Sequence, residues 1–183
     1  MRVLALTVQA IGALNRAVGN VFAWLAFAMV LVCFWVVVER YLFHTTRLWM
    51  QDLYVWLNGA MFTAVAGFAF FRGDHVRVDI FYRPASLKWR AKADLIGCLF
   101  FLLPYMYVLI TWGLPYVQRS WRITEGSANI GGMPGLFILK SFILVFAVLV
   151  SLQGIAYVAR AILVLFDKED LLPEIYRYPN LTD

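Results

Sequence analysis

The chain has 183 residues, of which 63% are hydrophobic and only 15% are charged, and its mean hydropathy is +0.75. This composition excludes an ordinary water-soluble domain, and the residues outside its apolar stretches are too few to bury a second, soluble core. The net charge of +5 indicates basic loops that face anionic lipid rather than a nucleic-acid partner.

Four long apolar stretches account for most of the sequence. Each is about 20 residues long, which at about 1.5 Å per helical residue matches a hydrocarbon core of roughly 30 Å. We therefore predict an all-α integral membrane protein in which residues 1–183 form a single membrane domain. The predicted spans are 17–38, 53–71, 95–117 and 141–159.

The first span follows a segment of mixed character. Residues 3–17 interleave apolar side chains with polar ones such as Asn15 and Arg16, a pattern that suits a short amphipathic helix at the membrane surface. The apolar run that follows lacks a small-x-small exit, so we expect a retained helix rather than a signal peptide. Trp24 and Trp35 lie deep in this span and are expected to pack against protein.

The second span has a stripe of small residues. Gly59, Thr63 and Gly67 recur at every fourth position, so they share one helical face. Small residues at this spacing allow another helix to approach closely. The sequence leaves open whether that helix is internal or belongs to another subunit.

The third and fourth spans complete the bundle. Pro104 and Pro115 are expected to bend the third helix or to mark its outer end. Ionisable residues near the spans fall close to predicted helix ends, as Lys140 and Arg160 do at the fourth. A protein that moves ions itself usually keeps some charge at mid-membrane, so this pattern disfavours an ion pump.

Basic residues predict how the chain is oriented. The connection 72–92 contains six of them, and the two ends of the chain add five, whereas the opposite side has five in all. The positive-inside rule then places both termini, the 72–92 loop and the tail 160–183 in the cytoplasm. Residues 39–52 and 118–140 are expected to face outward.

The sequence indicates neither a cofactor nor a metal. Its two histidines, His44 and His75, fall in loops on opposite sides of the membrane, which disfavours a haem held by two histidines inside the bundle. Asp74 and Asp79 lie near His75, but we interpret this trio as solvated loop charges rather than metal ligands.

Motifs in the first outer loop, the second span and the cytoplasmic loop carry a resemblance to a known family. The chain reads Arg40-Tyr-Leu-Phe43, then Trp49-Met-Gln51-Asp52-Leu53, then Gly59-Ala60, then His75-Val-Arg77-Val-Asp79. This order resembles the small permease subunit of TRAP transporters (tripartite ATP-independent periplasmic transporters), the DctQ-type family. The family's acidic pair appears here as Gln51-Asp52, which places in doubt any role that needs two carboxylates.

Residues later in the chain resemble one branch of this family. Glu125-Gly-Ser127, Met133-Pro134, Lys140 and Leu152-Gln153 are similar to the branch labelled mannitol/chloroaromatic, a label that is a poor guide to substrate.

The resemblance implies a subunit that transports nothing on its own. Its expected partners are a large DctM-type membrane subunit, a periplasmic solute-binding protein of the DctP type, and membrane lipids. The chain would be a non-catalytic scaffold in the bacterial inner membrane, and an ion gradient would drive organic acid uptake through the large subunit.

The motif residues suggest local roles. Asp52 could complement the positive end of the second helix, or pair with Arg40 or Arg47. Arg77 could hold a lipid phosphate or a partner carboxylate, although a structural turn is the better interpretation of residues 75–79. The outward segment 118–134 could dock the soluble binding protein or could simply connect two helices.

Two other classes remain open from the sequence. One is the membrane anchor of a redox enzyme, which the histidine placement disfavours. The other is a small interfacial enzyme acting on lipid or quinone, for which Asp74, His75, Arg77 and Asp79 are the candidate polar cluster.

Overall fold

A computed structural model describes residues 1–73, 82 and 84–178 as a bundle of four long helices. They are α1 (Arg2–Leu42), α2 (Leu48–Arg72), α3 (Leu87–Arg122) and α4 (Leu136–Leu165). Two short 3₁₀ turns follow, at Glu169–Leu171 and Glu174–Tyr176. All four helices are long and apolar enough to cross a membrane, which confirms the predicted fold class.

The helices are longer than the apolar spans because backbone hydrogen bonding continues through polar residues at their ends. α1 is the extreme case, with 41 residues and no break between the segment 3–17 and the first span. Its N-terminal part is therefore not a separate helix. Its buried positions recur every three or four residues, so one face packs on the bundle: Ala5, Val8, Gly12, Asn15 and Gly19.

Helix boundaries follow local chemistry. α2 ends at Arg72, and the next residue, Gly73, adopts a left-handed conformation with φ 74° and closes the helix as glycine commonly does. α3 begins after Ser86, whose Oγ accepts a hydrogen bond of 3.3 Å from the backbone N–H of Trp89. This places residues 87–92 of the expected cytoplasmic loop inside a helix.

α3 contains one irregular turn. Residues Cys98–Leu102 form a π-helical turn, and the N–H of Leu103 reaches back five residues to the carbonyl of Cys98. Pro104 follows at once and has no N–H to offer, so the regular ladder is interrupted here. Pro115 does not mark the helix end, because α3 continues to Arg122.

α4 is the central helix and packs against the other three. Its buried residues run from Ala147 to Val164, whereas no residue of α1 between Gly19 and Glu39 is buried. The prediction that Trp24 and Trp35 pack against protein is wrong within this chain, since their side chains are 73% and 47% exposed. The outer faces of α1 and α3 are thus left open.

The bundle has two polar ends. The joints 43–47 and 123–135 meet at one of them, which we call the loop end. The N-terminus, residues 82 and 84–86 and the segment 166–178 meet at the other, which we call the tail end. These two ends hold most of the polar contacts that position the helices.

Candidate functional site

The carboxylate of Asp52 ties α2 to the connection between α3 and α4 at the loop end. Its Oδ1 accepts a hydrogen bond of 3.0 Å from Nδ2 of Asn129, and its Oδ2 accepts one of 2.9 Å from the N–H of Met133. The Ser127 hydroxyl binds the same carboxylate. One side chain therefore holds three points of the connecting segment.

The segment held by Asp52 contains a tight turn. The N–H of Gly132 donates to the carbonyl of Asn129 at 2.9 Å, which leaves Ile130 and Gly131 at the apex. Gly131 has φ 78°, a conformation that this kind of turn requires at its third position and that glycine adopts freely. The N–H of Ser127 donates to the carbonyl of Met133 at 3.0 Å and closes the base.

These contacts correct the expected pairing of Asp52. Nε of Arg47 lies 3.3 Å from Oε1 of the buried Glu39 instead, and Arg40 is exposed. Since α2 begins at Leu48, Asp52 is in its second turn, beyond the N–H groups that a first-turn carboxylate would complement. Its role is to bind the other loop.

A second carboxylate joins α3 to α4. Oε2 of Glu125 accepts hydrogen bonds of 2.6 Å from Nζ of Lys140 and 2.6 Å from Oγ of Ser120. The hydrogen bond from Lys140, helped by that from Ser120, holds the pKa of Glu125 below its usual range. Nζ of Lys140 also lies 4.4 Å from the ring centre of Tyr116.

The remaining family-motif residues of the loop end make fewer contacts. Trp49 is 41% exposed in the first turn of α2, at the level where an amphipathic ring is favoured. Gln51 is partly buried and hydrogen bonds to no residue in the described ranges, and Pro134 is exposed beside the turn. His75, Arg77 and Asp79 lie outside the described residues.

The small-residue face of α2 is directed into the bundle. A methyl group at Gly67 would collide with the Asn15 side chain of α1 and would lie 3.1 Å from Cβ of Leu149 in α4. At Gly59 the nearest neighbour would be Leu139 of α4, at 3.2 Å. Ala60 is 8% exposed on the same helix, and the Thr63 hydroxyl donates to the carbonyl of Gly59 at 2.7 Å. The neighbours of this face belong to the same chain.

A buried amide pair, which we did not predict, lies beside that face. Nδ2 of Asn15 donates to Oε1 of Gln153 at 2.8 Å, and both side chains are buried, at 1% and 4% exposure. Each amide satisfies part of the other's hydrogen-bonding capacity in an apolar surrounding. The polar side chain of Asn15 suggested a helix at the membrane surface. Its partner, Gln153, is instead in α4, inside the bundle.

The tail end is organised around Arg160 of α4. Its guanidinium carbon lies 4.2 Å and 4.1 Å from the ring centres of Tyr157 and Tyr178, so two rings enclose the cation. Nη2 is 3.8 Å from Oδ2 of Asp94 in α3, and that carboxylate accepts a hydrogen bond of 3.0 Å from the Tyr82 hydroxyl. Burial raises the pKa of Tyr178, which therefore stays neutral.

The segment after α4 folds back on α1. Tyr176 is 7% exposed and sits over Gly12, where a methyl group would come within 2.5 Å of its ring. Its hydroxyl accepts a hydrogen bond of 3.0 Å from Nη2 of Arg16. Leu172 is 1% exposed in the same cluster, which makes the tail part of the core.

Both polar ends join helices to one another. Within residues 1–73, 82 and 84–178, no three His, Cys, Asp or Glu side chains are grouped to hold a metal ion. The paired charges fix all four helices at the loop end, and α1, α3 and α4 at the tail end. The fold thus defines a four-helix, multi-pass membrane protein.

Comparison with known families assigns this membrane protein. The family model described as "Tripartite ATP-independent periplasmic transporters, DctQ component" matches residues 29–164, and the chain belongs to that family. It is therefore the small membrane component of a TRAP transporter, in a family that works with a large membrane component and a periplasmic one, and it resides in the inner membrane. No curated protein and no solved structure matches it.

Proposed function

We propose that this chain is the fixed, non-catalytic scaffold of a TRAP transporter that takes up organic acids on an ion gradient. The observation that supports this role is the open face of α1, where nothing between Gly19 and Glu39 is buried. The paired polar groups Asp52, Glu125, Lys140 and Arg160, in contrast, join the chain's own helices. Its helices are therefore fixed to one another, while the outer face of α1 remains exposed for a partner.

Aromatic side chains at mid-span support a protein partner on the open faces. Trp24 and Phe27 of α1 are 73% and 58% exposed, and Tyr105 and Tyr107 of α3 are 62% and 70% exposed. A tyrosine hydroxyl is favoured at the headgroup level, and at mid-membrane it is costly without a hydrogen-bond acceptor. A neighbouring subunit can supply that acceptor, whereas lipid chains cannot.

The positions of the charged residues indicate which subunit carries the substrate. Asp94 and Arg160 are at the tail end, and Asp52, Glu125 and Lys140 are at the loop end. We infer that substrate and the coupling ion pass through the large subunit, against whose static part this chain packs. The chain itself binds no substrate and catalyses no reaction.

The tail end is proposed to face the cytoplasm and the loop end the periplasm, on the distribution of basic residues. Fusion of a fluorescent protein or alkaline phosphatase after Asp183 tests this orientation. Fluorescence without phosphatase activity is expected, and the reverse result would place the tail in the periplasm.

The scaffold role is tested by mild-detergent purification of the tagged chain from its native membrane. A larger polytopic subunit is expected in stoichiometric amount. A photo-crosslinking amino acid at Trp24 or at Trp112, which is 76% exposed on α3, identifies the face that it covers. Ile175, exposed at the tail end, is the matched control position. Recovery of the chain alone, without crosslinks from either face, would contradict the proposal.

The two alternative functions gain no support from the family assignment. A redox anchor would purify with a haem or flavin partner, and an interfacial enzyme would turn over lipid or quinone by itself. The same purification therefore distinguishes all three.

A further inference from the structure

We propose that the turn Asn129–Gly132 is a preformed docking knob whose tip, Ile130, enters an apolar pocket with an acidic rim on the soluble binding protein. This inference rests on the proposed function and orientation, and it names the contact that brings the binding protein to this subunit.

The exposure of Ile130 is the first observation. Its side chain is 95% exposed at the apex of the turn, more than that of any other large hydrophobic residue described. Neither Asn129 nor Gly131 provides apolar cover, and no helix packs over it. An isoleucine in this position gains by transfer from water into a pocket on another molecule.

The rigidity of the turn is the second observation. Asp52 binds the Asn129 side chain, the Met133 N–H and the Ser127 hydroxyl, and the Asn129–Gly132 hydrogen bond closes the turn. A methyl group at Gly132 would come within 2.6 Å of Asp52 and Ser127, so the backbone is seated closely on its anchor. A loop fixed in this way loses little entropy when a partner binds.

Charge indicates the chemistry of the partner. At the loop end Glu39 pairs with Arg47, Glu125 pairs with Lys140, and Asp52 is occupied by the turn. Arg119 and Arg122, in the last turn of α3 just before the segment, are exposed and form no ion pair within the described ranges. The surface offered to a partner is therefore cationic, and its complement is a rim of carboxylates.

A soluble protein fits this surface better than the membrane does. The turn presents one apolar side chain on a rigid base, whereas membrane insertion of a segment uses an extended apolar face. Four long helices already anchor the chain, so a single isoleucine would add little to membrane binding. A single fixed side chain at the centre of an interface, in contrast, can dominate binding to a protein pocket.

The experiment uses the transporter reconstituted in liposomes with its own binding protein, and it measures uptake as the concentration of that protein is varied. Ile130→Asp is expected to raise the half-saturating concentration about 10- to 100-fold, the loss expected when a buried isoleucine contact is replaced by an unpaired carboxylate, and to leave the maximal rate unchanged. Arg119→Ala with Arg122→Ala should raise it several-fold at low salt and less at high salt.

Ile175→Asp is the matched control, because it makes the same change at a 56% exposed isoleucine at the tail end. It should leave the half-saturating concentration unchanged. Intact uptake and an unshifted half-saturating concentration in Ile130→Asp would overturn the knob while leaving the scaffold role in place. Failure of the wild-type chain to assemble with a large subunit would overturn the scaffold role instead.

Membrane contact is tested separately. With Cys33 replaced by alanine, an environment-sensitive label is attached to the Ile130→Cys variant in liposomes of brominated lipid without the binding protein. The label should emit as in water and shift to shorter wavelength only when the binding protein is added. Quenching by the brominated lipid alone would show that the turn lies in the membrane, and would overturn the proposal.

Discussion

At the scale of single residues, Asp52 determines the shape of the loop end. Its carboxylate is in α2, but all three of its hydrogen bonds go to the segment between α3 and α4. Charge-assisted hydrogen bonds of this kind are stronger than neutral ones and also fix direction. One side chain thereby holds together two connections that are far apart in the sequence.

Asp52→Ala should release the segment 123–135 without unfolding the helices. We expect trypsin to cleave after Arg122 about tenfold faster, the factor that a loss of ~1.4 kcal/mol in local stability produces. Gln51→Ala is the control, since the neighbouring amide hydrogen bonds to no described residue. Equal cleavage rates in both variants would show that Asp52 does not hold the segment.

Glu125 makes the stability of the loop end depend on pH. Because its pKa is lowered in the folded chain, its contribution is present above the ordinary value of 4.5 and is lost as the pH falls through the lowered value. At neutral pH the wild-type chain should unfold at a higher temperature than Glu125→Gln. That difference should shrink below pH 4.5, and a constant difference would contradict the role of the Lys140 pair.

The sequence indicated the importance of Asp52 but not its partner. Arg40 and Arg47 are its neighbours in the chain, and sequence distance favoured them. The actual partners, Asn129 and Met133, come next to Asp52 only through the packing of α2 on α4. Spacing along one helix cannot report a contact of that kind, because it depends on how separate helices are oriented.

At the scale of helices, the contact of α1, α2 and α4 depends on having no side chain at Gly67. The Asn15 amide occupies the space that a methyl group would need, and Asn15 in turn holds Gln153. Close approach of backbones is the usual basis of helix packing in membranes, and here it also makes room for a buried polar pair.

Gly67→Ala should therefore destabilise the bundle by about 1–3 kcal/mol through overpacking. The thermal unfolding midpoint in detergent is the measurement. Gly97→Ala in α3 is the matched control, because its added methyl group would meet no described atom within 4 Å beyond its chain neighbours and its own helix backbone. It should be neutral or slightly stabilising. An unchanged midpoint for Gly67→Ala would mean that Asn15 moves aside freely.

Hydropathy was sufficient to find all four helices, and in the structure Gly59 and Gly67 of α2 lie close to side chains of α1 and α4. Hydropathy could not predict the full length of α1, because a hydropathy scale treats every polar residue as exposed. Asn15 suggested a surface position, yet the structure buries it against Gln153. A hydropathy scale scores residues one at a time, so it cannot predict that two polar side chains will be buried together because they hydrogen bond to each other.

At the scale of the whole molecule, the tail segment 166–178 closes the bundle. Tyr176 covers Gly12 of α1, and Tyr178 stacks on Arg160 of α4 while its N–H donates to Glu169 at 2.9 Å. The segment thus connects the first helix to the last one. It is the only described part outside the helices that supplies several buried hydrophobic side chains: Leu172, Tyr176 and Tyr178.

A chain that ends after Phe166 should accordingly be much less stable than one that ends after Tyr178. Each buried leucine or tyrosine contributes roughly 1.5–3 kcal/mol, so the shorter chain should lose several degrees or more in unfolding midpoint. The chain that ends after Tyr178 keeps every described contact of the tail and is the control. Equal midpoints would show that the tail is dispensable.

The contact between Arg16 and Tyr176 also has a consequence for biosynthesis. The two residues are separated by most of the chain, and their side chains meet at 3.0 Å. At a synthesis rate of about 5–20 residues per second, α1 waits roughly 10 to 30 s before its partner has been made. Throughout that interval Tyr176 is missing from its place over Gly12, so this contact of the first helix is among the last to form.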